Sequence, residues 1–278
     1  MNELSYLKAV ILGIIQGITE FLPISSSAHL ALGERWLNLK PDDTTIFFFL
    51  LATHLGTLVA VVIVFAVPLK RYLLRLVRES GAAWGSRPRY AWRIALLGLI
   101  ATVPTGVIGL AFKSELEASF NRPRQIGAEL VITGVLLAAT GKVRRGRRRW
   151  KDFRWWHAGL VGVAQGLAIL PGISRSGATI CTAELCGLRR QWAAQFSFLI
   201  AFPAIIGAAL FEFRDLLQLP DAEFQQTPWG PIVAGTAVAL ATGVISLALL
   251  VQAVRRAKLH YFAWYCWGLG LLAVLGIL

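Results

Sequence analysis

The strongest constraint on this chain is that one of its motifs is written twice. A single ungapped offset pairs Gly13 with Gly162, Gln16 with Gln165, Gly17 with Gly166, Ser25 with Ser174 and Ser27 with Ser176. The register continues past the motif, where Phe49-Leu50-Leu51-Ala52 falls on Phe198-Leu199-Ile200-Ala201. A repeat of this length is a duplicated half-chain rather than a solenoid unit. In each copy an apolar segment runs into a proline, then a Ser-rich stretch, then a second apolar segment too short to cross a bilayer. That order predicts helix, break, helix. The residue before a proline avoids the helical region and the proline lacks an N–H, so the first helices stop at Leu22-Pro23 and at Leu170-Pro171-Gly172. Ser25 and Ser174 suit the N-caps of the helices that follow. The unpaired N–H groups and positive dipole ends of those helices favour an anion, phosphate above all.

With 56% of its 278 residues hydrophobic, the chain reads as an all-α polytopic membrane protein rather than a soluble domain. A crossing helix needs about 20 largely apolar residues. Six segments approach this: Ile46–Val67, Ile94–Phe112, Ile126–Gly141, Phe196–Phe213, Ile232–Gln252 and Phe262–Leu278. The N-terminal apolar run carries Gln16 and Glu20 with no small-residue cleavage site after it, so it is not read as a signal peptide. Cys181, Cys186 and Cys266 lie in or beside apolar segments without metal-ligand spacing, which suits core packing.

Lys and Arg number 28 against 15 Asp and Glu, a net charge of +13, and the placement of that charge argues against a nucleic-acid partner. The cations gather in loops between apolar segments, at Lys70 to Arg93 (including Arg87), Lys142 to Arg154 (including Arg144, Arg145 and Arg147), Arg189-Arg190 and Arg255 to Lys258. The positive-inside rule makes these loops cytoplasmic. Glu34, Asp42, Asp43, Glu115, Glu117, Asp215, Asp221 and Glu223 mark the opposite side. Trp84, Tyr90, Trp92, Trp150, Trp155, Trp156, Trp229, Tyr261, Trp264 and Tyr265 fall where interfacial anchors belong.

The first hairpin therefore enters and leaves from the outer side and the second from the cytoplasm. Each half is one re-entrant hairpin plus three spans, and an odd number of spans inverts the second half relative to the first. The expected architecture is a single membrane domain built as an inverted repeat. Residues 1–141 form repeat one, 158–278 repeat two and 142–157 a basic linker, with both termini outside. In such folds the broken-helix tips meet near the bilayer midplane and build one site.

That site would draw Gln16, Glu20, Ser25, Ser26, Ser27 and His29 from the first half and Ser174, Arg175, Ser176 and Thr179 from the second. Gln16 and Glu20 are four apart and share a helix face, and Arg175 lies deep in an apolar run, where ionisable groups mark function. The set suits a phosphorylated ligand: Arg175 offers a forked donor to phosphate oxygens. Glu20 can hold a hard divalent cation or act as a base. Ser25 and His29 are four apart with Ser26 beside them, so a hydroxyl nucleophile near an imidazole is geometrically open. His54 reads as a satisfied interior histidine, and Glu129 and Glu184, near helix ends, fall outside the site.

These stretches resemble the undecaprenyl-diphosphate phosphatase family, the integral-membrane bacitracin-resistance phosphatases of bacterial envelopes. The resemblance spans nearly the whole chain and rests on GIIQGITEFLPISSSAH (13–29), LPGISRSGATI (170–180) and FSFLIAFP (196–203). It implies hydrolysis of undecaprenyl diphosphate to undecaprenyl phosphate and inorganic phosphate, recycling the carrier for peptidoglycan synthesis and conferring bacitracin resistance. It further implies a divalent cation, magnesium or alternatively calcium, in the bacterial plasma membrane, and leaves room for a homodimer. The family's acidic pair falls on Gln16 and Glu20, its Ser-and-His element on Ser26 and His29, and its Pro-Gly-x-Ser-Arg-Ser element on Pro171, Gly172, Ser174, Arg175 and Ser176, with Thr179 following. Two departures stand out: Gln16 cannot ionise, and Ala28 replaces a common Gly. A transporter or flippase of a lipid carrier, prompted by the repeat, is the alternative to the enzyme.

Overall fold

The computed structural model describes residues 3–40, 43–81, 89–142, 146, 148–216, 221–256 and 258–277. Asp42, Trp84, Arg87, Arg144, Arg145 and Arg147 lie outside the described residues, as do the side chains of Glu117, Lys142, Asp215, Asp221, Glu223 and Arg255. The described chain is all-helical, with thirteen α-helices and no strand among the described residues.

Two of the helix pairs are the expected breaks. Helix α1 (Tyr6–Phe21) ends where Leu22 turns extended (φ −61°, ψ 145°) ahead of Pro23, and α2 (Ser26–Trp36) begins three residues on. The capping Ser25 sits at φ 66°, in the left-handed region, and its hydroxyl accepts the Ala28 N–H at 3.4 Å. A non-glycine residue in that region costs on the order of 1–3 kcal/mol and is held only where its surroundings over-determine it. Helices α3 (Thr44–Val64), α4 (Ala66–Ser80), α5 (Tyr90–Ala111), α6 (Lys113–Phe120) and α7 (Pro123–Lys142) complete the first half. The second break separates α8 (Trp155–Leu167) from α9 (Arg175–Leu185), where Ser174 caps with its hydroxyl 3.2 Å from the Gly177 N–H. Helices α10 (Arg190–Leu216), α11 (Asp221–Gln226), α12 (Trp229–Arg255) and α13 (Phe262–Val274) follow.

Four helices are long and apolar enough to cross a membrane: α3, α5, residues Arg190–Leu210 of α10 and Trp229–Val254 of α12. They make the chain a multi-pass membrane protein, with four such spans among the described residues against the six expected. The segment expected over Phe262–Leu278 is a helix only to Val274, 13 residues long. The one expected over Ile126–Gly141 lies in α7, which starts on Pro123-Arg124-Gln125 and buries Glu129, Thr133 and Thr140. These two helices, one short and the other less apolar, pack on each other at backbone distance: a Cβ on Gly127 would stand 2.6 Å from the Gly270 carbonyl oxygen. The span expected to Val67 stops at Val64, and the chain continues as α4, which has no buried residue. Its exposed Val67, Leu73, Leu74 and Val77 accompany Lys70, Arg71, Arg75 and Arg78, the pattern of a helix lying in a membrane surface.

The hairpins pack crosswise. Helix α1 lies against α12 and α8 against α5, each hairpin thus choosing a span of the other half. Glycines permit the approach: a Cβ on Gly13 would strike the Gly235 carbonyl, and one on Gly162 the Ala101 carbonyl. Hydroxyls bridge the same seams, Ser246 donating to the Ile18 carbonyl at 2.7 Å and Thr105 to the Gly162 carbonyl at 3.1 Å. The main core accordingly mixes both halves, Phe21, Leu97 and Ala101 packing with Val161, Phe196, Phe198 and Leu247. Gly17→Ala, whose Cβ would meet Thr242 and the Ala239 carbonyl, should lower the melting midpoint in detergent by an overpacking cost of about 1–3 kcal/mol. Gly106→Ala, with nothing within 4 Å, is the control and should melt no lower than the parent.

Candidate functional site

The two breaks meet, and their loose backbone ends are tied to each other. Pro171 presents its carbonyl to the first hairpin, where Ser25 donates a short hydrogen bond and Ser27 one of 3.2 Å. In return Ser176 donates to the Leu22 carbonyl at 3.4 Å. Carbonyls orphaned by a helix break are costly without partners inside a membrane, and serines at these positions supply them. The second turn is anchored from α7: the Glu129 carboxylate accepts the Gly172 N–H at 2.9 Å. Thr133 donates to the Gly172 carbonyl and accepts the Ser174 N–H, both at 3.0 Å. A Cβ on Gly172 would collide with Glu129 and the Ile126 carbonyl, so only glycine lets the turn sit there.

With the turns fixed, Glu20 becomes the centre of a polar cluster. Arg175 pairs with its Oε1 across the two hairpins. Ser26 donates to Oε2 at 2.7 Å, and the Gln16 amide donates to the same oxygen at 3.1 Å. His54, on α3, places Nε2 3.8 Å from that oxygen while Nδ1 lies 2.8 Å from the Leu50 carbonyl. The Glu20 side chain is 4% exposed and that of Arg175 24%. A guanidinium and several donors compensate a carboxylate at this depth. Thr179 bonds the Arg175 carbonyl at 2.8 Å and the Ser197 hydroxyl at 2.6 Å, fixing the first turn of α9 against α10.

The structure thus brings Gln16, Glu20, Ser26 and Arg175 together. The hydroxyls of Ser25, Ser27, Ser174, Ser176 and Thr179 hold the turns around them. His29 stands apart in its bonds: Nδ1 lies 2.6 Å from the Ser25 carbonyl, Nε2 2.7 Å from the Tyr265 hydroxyl, and the ring stacks on Tyr265 at 5.6 Å. Two residues placed outside the site on sequence grounds belong to it or beneath it. His54 is bonded to the Leu50 carbonyl as an interior histidine would be, yet turns its other nitrogen toward Glu20, and Glu129 anchors the second turn. Glu184 does stay away, paired with Arg190 at 3.5 Å.

A cavity of about 10 Å³, room for about one water, joins this cluster to apolar surface. Glu20, Arg175 and Ser197 form its polar end, and Leu58, Phe198 and Phe202 its greasy wall.

The repeat explains why the cluster is lopsided. At the offset that pairs Gln16 with Gln165, Glu20 falls on Ile169, Ser26 on Arg175 and His29 on Ala178. One copy carries the acid and the hydroxyl, the other the guanidinium, and neither is complete without its twin.

Among the described residues, no group of three or more His, Cys, Asp and Glu is placed to hold a metal. Gln16 Oε1, however, is buried without a partner, beside the Glu20 carboxylate. One carboxylate and one amide oxygen fit magnesium, which keeps several waters and leans on substrate phosphates.

Residues 9–272 match the family model described as bacitracin resistance protein BacA. A protein of Alkaliphilus metalliredigens named undecaprenyl-diphosphatase is 41% identical over 273 residues, covering 96% of this chain and 97% of the relative. One of Halorhodospira halophila with the same name is 39% identical over 279 residues, 96% of each. An undecaprenyl-diphosphatase 4 of Bacillus thuringiensis is 37% identical over 271 residues, 98% of this chain and 97% of the relative. The matches run through both breaks and all four apolar spans, and the chain belongs to the bacitracin resistance protein BacA family.

Proposed function

We propose that the protein hydrolyses undecaprenyl diphosphate to undecaprenyl phosphate and inorganic phosphate, recycling the lipid carrier of envelope synthesis and so conferring bacitracin resistance. The observation that carries this reading is the Glu20–Ser26–Arg175 cluster at the end of an apolar wall, a site with a charged head and a greasy approach. The names of the relatives support it.

In this reading Arg175 and the N–H groups opening α9 bind the terminal phosphate. Ser26 Oγ attacks the terminal phosphorus as its proton passes to Glu20 Oε2, and the bridging oxygen leaves with undecaprenyl phosphate. Water then cleaves the phosphoserine, releasing inorganic phosphate and restoring the hydroxyl. His54 faces Glu20 and relays its proton. His29 orients the Ser25–Ser26 turn through the Ser25 carbonyl. Ser25, Ser27, Ser174, Ser176 and Thr179 shape the phosphate cradle. Glu20 and Gln16 would hold magnesium, or calcium, which when bound neutralises charge on the diphosphate.

The finer architecture follows as part of the proposal. Residues 1–141 and 158–278 form inverted repeats, each a re-entrant hairpin with three membrane helices, the less apolar α7 and the short α13 completing the two sets, joined by the linker 142–157 in the bacterial plasma membrane with both termini outside. The crosswise packing of the hairpins and the tied turns support it. A cysteine introduced at Arg256 should escape a membrane-impermeant reagent in intact cells, and its labelling would overturn the sidedness.

The central test is phosphate release from undecaprenyl diphosphate by purified protein with magnesium. Movement of the lipid without release would replace the enzyme with a carrier. Arg175→Lys keeps the charge and loses the fork, so kcat/KM should fall at least ~10-fold, about 1.4 kcal/mol of transition-state stabilisation. Unchanged kinetics in a folded Arg175→Lys protein would remove Arg175 from the phosphate site.

A further inference from the structure

Away from Glu20, a second polar cavity of about 450 Å³ opens where the chain enters α8. Arg93 reaches it from α5, and Arg148, Lys151, Asp152, Arg154 and His157 from the segment leading into and opening α8. Asp152, whose carboxylate accepts the Arg149 backbone N–H at 3.1 Å, is the one acid of this lining, so four cations face a single negative charge. Their mutual repulsion is relieved by an anion between them.

The back of the cavity points the same way. His157 is 1% exposed. The Arg154 N–H stands 2.8 Å from its Nδ1, and Arg148 Nη1 2.5 Å from its Nε2. Both neighbours are donors, and a neutral imidazole accepts through only one nitrogen. Whichever tautomer is present, one ring nitrogen meets a donor while carrying a proton of its own, and although the Cys186 carbonyl also accepts from Arg148 Nη1 at 2.6 Å, the corner where the 13-residue α8 begins is rich in donors.

We propose that Arg93, Arg148, Lys151 and Arg154 form a phosphate-binding site separate from the Glu20 centre. Trp156, 42% exposed, lines it, and Trp155, its neighbour in the chain, is 69% exposed, as residues at headgroup level are. Basic pockets among membrane helices suit anionic lipid headgroups, so the phosphate is that of a lipid rather than of a soluble ion.

The test uses the full chain in nanodiscs of phosphatidylcholine with and without phosphatidylglycerol, reading retained lipid by native mass spectrometry. Wild type should retain phosphatidylglycerol. Lys151→Gln with Arg154→Gln should weaken retention about 5-fold per cation, roughly 25-fold together, at unchanged helix content. Inorganic phosphate should not compete. If it does, and the double variant loses both ligands, the phosphate site stands with a soluble source. Retention equal to wild type in that variant overturns the proposal. So does an equal loss in the charge-matched Arg71→Gln with Arg75→Gln on α4, which would reduce the effect to general surface charge.

Discussion

Glu20→Gln should lower kcat by about 10²–10⁴, the range lost when a positioned acid–base group is removed. The substitution keeps the shape but sets an amide against Arg175, Ser26 and Gln16, all donors to the carboxylate. The magnesium dependence separates two roles for the lost charge. A carboxylate that holds the cation should, once gone, raise the magnesium concentration for half-maximal rate; one that serves only as base should leave that concentration unmoved. Leaving a buried partner uncompensated costs up to about 3–5 kcal/mol, less here because Arg175 keeps 24% of its side chain exposed. Pairing Glu20→Gln with Arg175→Gln should therefore recover stability without activity. Full activity in Glu20→Gln would remove the residue from the chemistry.

Ser26→Ala should abolish both turnover and any phosphoserine trapped by acid quench. Ser26 Oγ, 2.7 Å from Glu20 Oε2, is the hydroxyl already aligned with a base. His29→Ala should instead leave measurable turnover, because that ring is engaged by the Ser25 carbonyl and Tyr265. Its loss would loosen the turn and slow the reaction without removing the nucleophile. Substantial activity in Ser26→Ala with none in His29→Ala would reverse the two roles and make the imidazole the attacking group.

The breaks, the caps and the identities of Glu20, Ser26 and Arg175 were legible because each leaves a local mark: a proline, a serine run, a charge in an apolar segment. What reaches Glu20 from elsewhere was not. His54 sits within an apolar span and looks like any interior histidine; only the packing of α3 beside α1 turns Nε2 toward the carboxylate. Glu129 lies less than two helical turns from the start of α7 and reads as interfacial, yet the second hairpin returns over it and takes its oxygen. The end of α13 was not legible because hydropathy measures composition and not where a helix ends. Helix α4 was hidden for the opposite reason, since a surface helix with four cations has the composition of a loop.

The crosswise packing carries a consequence for how the chain is made. The seam of α1 is closed by α12, and the Ser246 bond to Ile18 spans 228 residues. The first hairpin emerges from the ribosome with Gln16 and Glu20 exposed, and the helix that covers it is among the last to be synthesised. Arg175, the counter-ion of Glu20, also arrives only after the midpoint of the chain. Contacts of such sequence separation impose loop-closure entropy and slow folding. The first half must therefore persist as an incomplete, polar-bearing intermediate in the membrane, and a chain truncated before α12 has no folded state to reach.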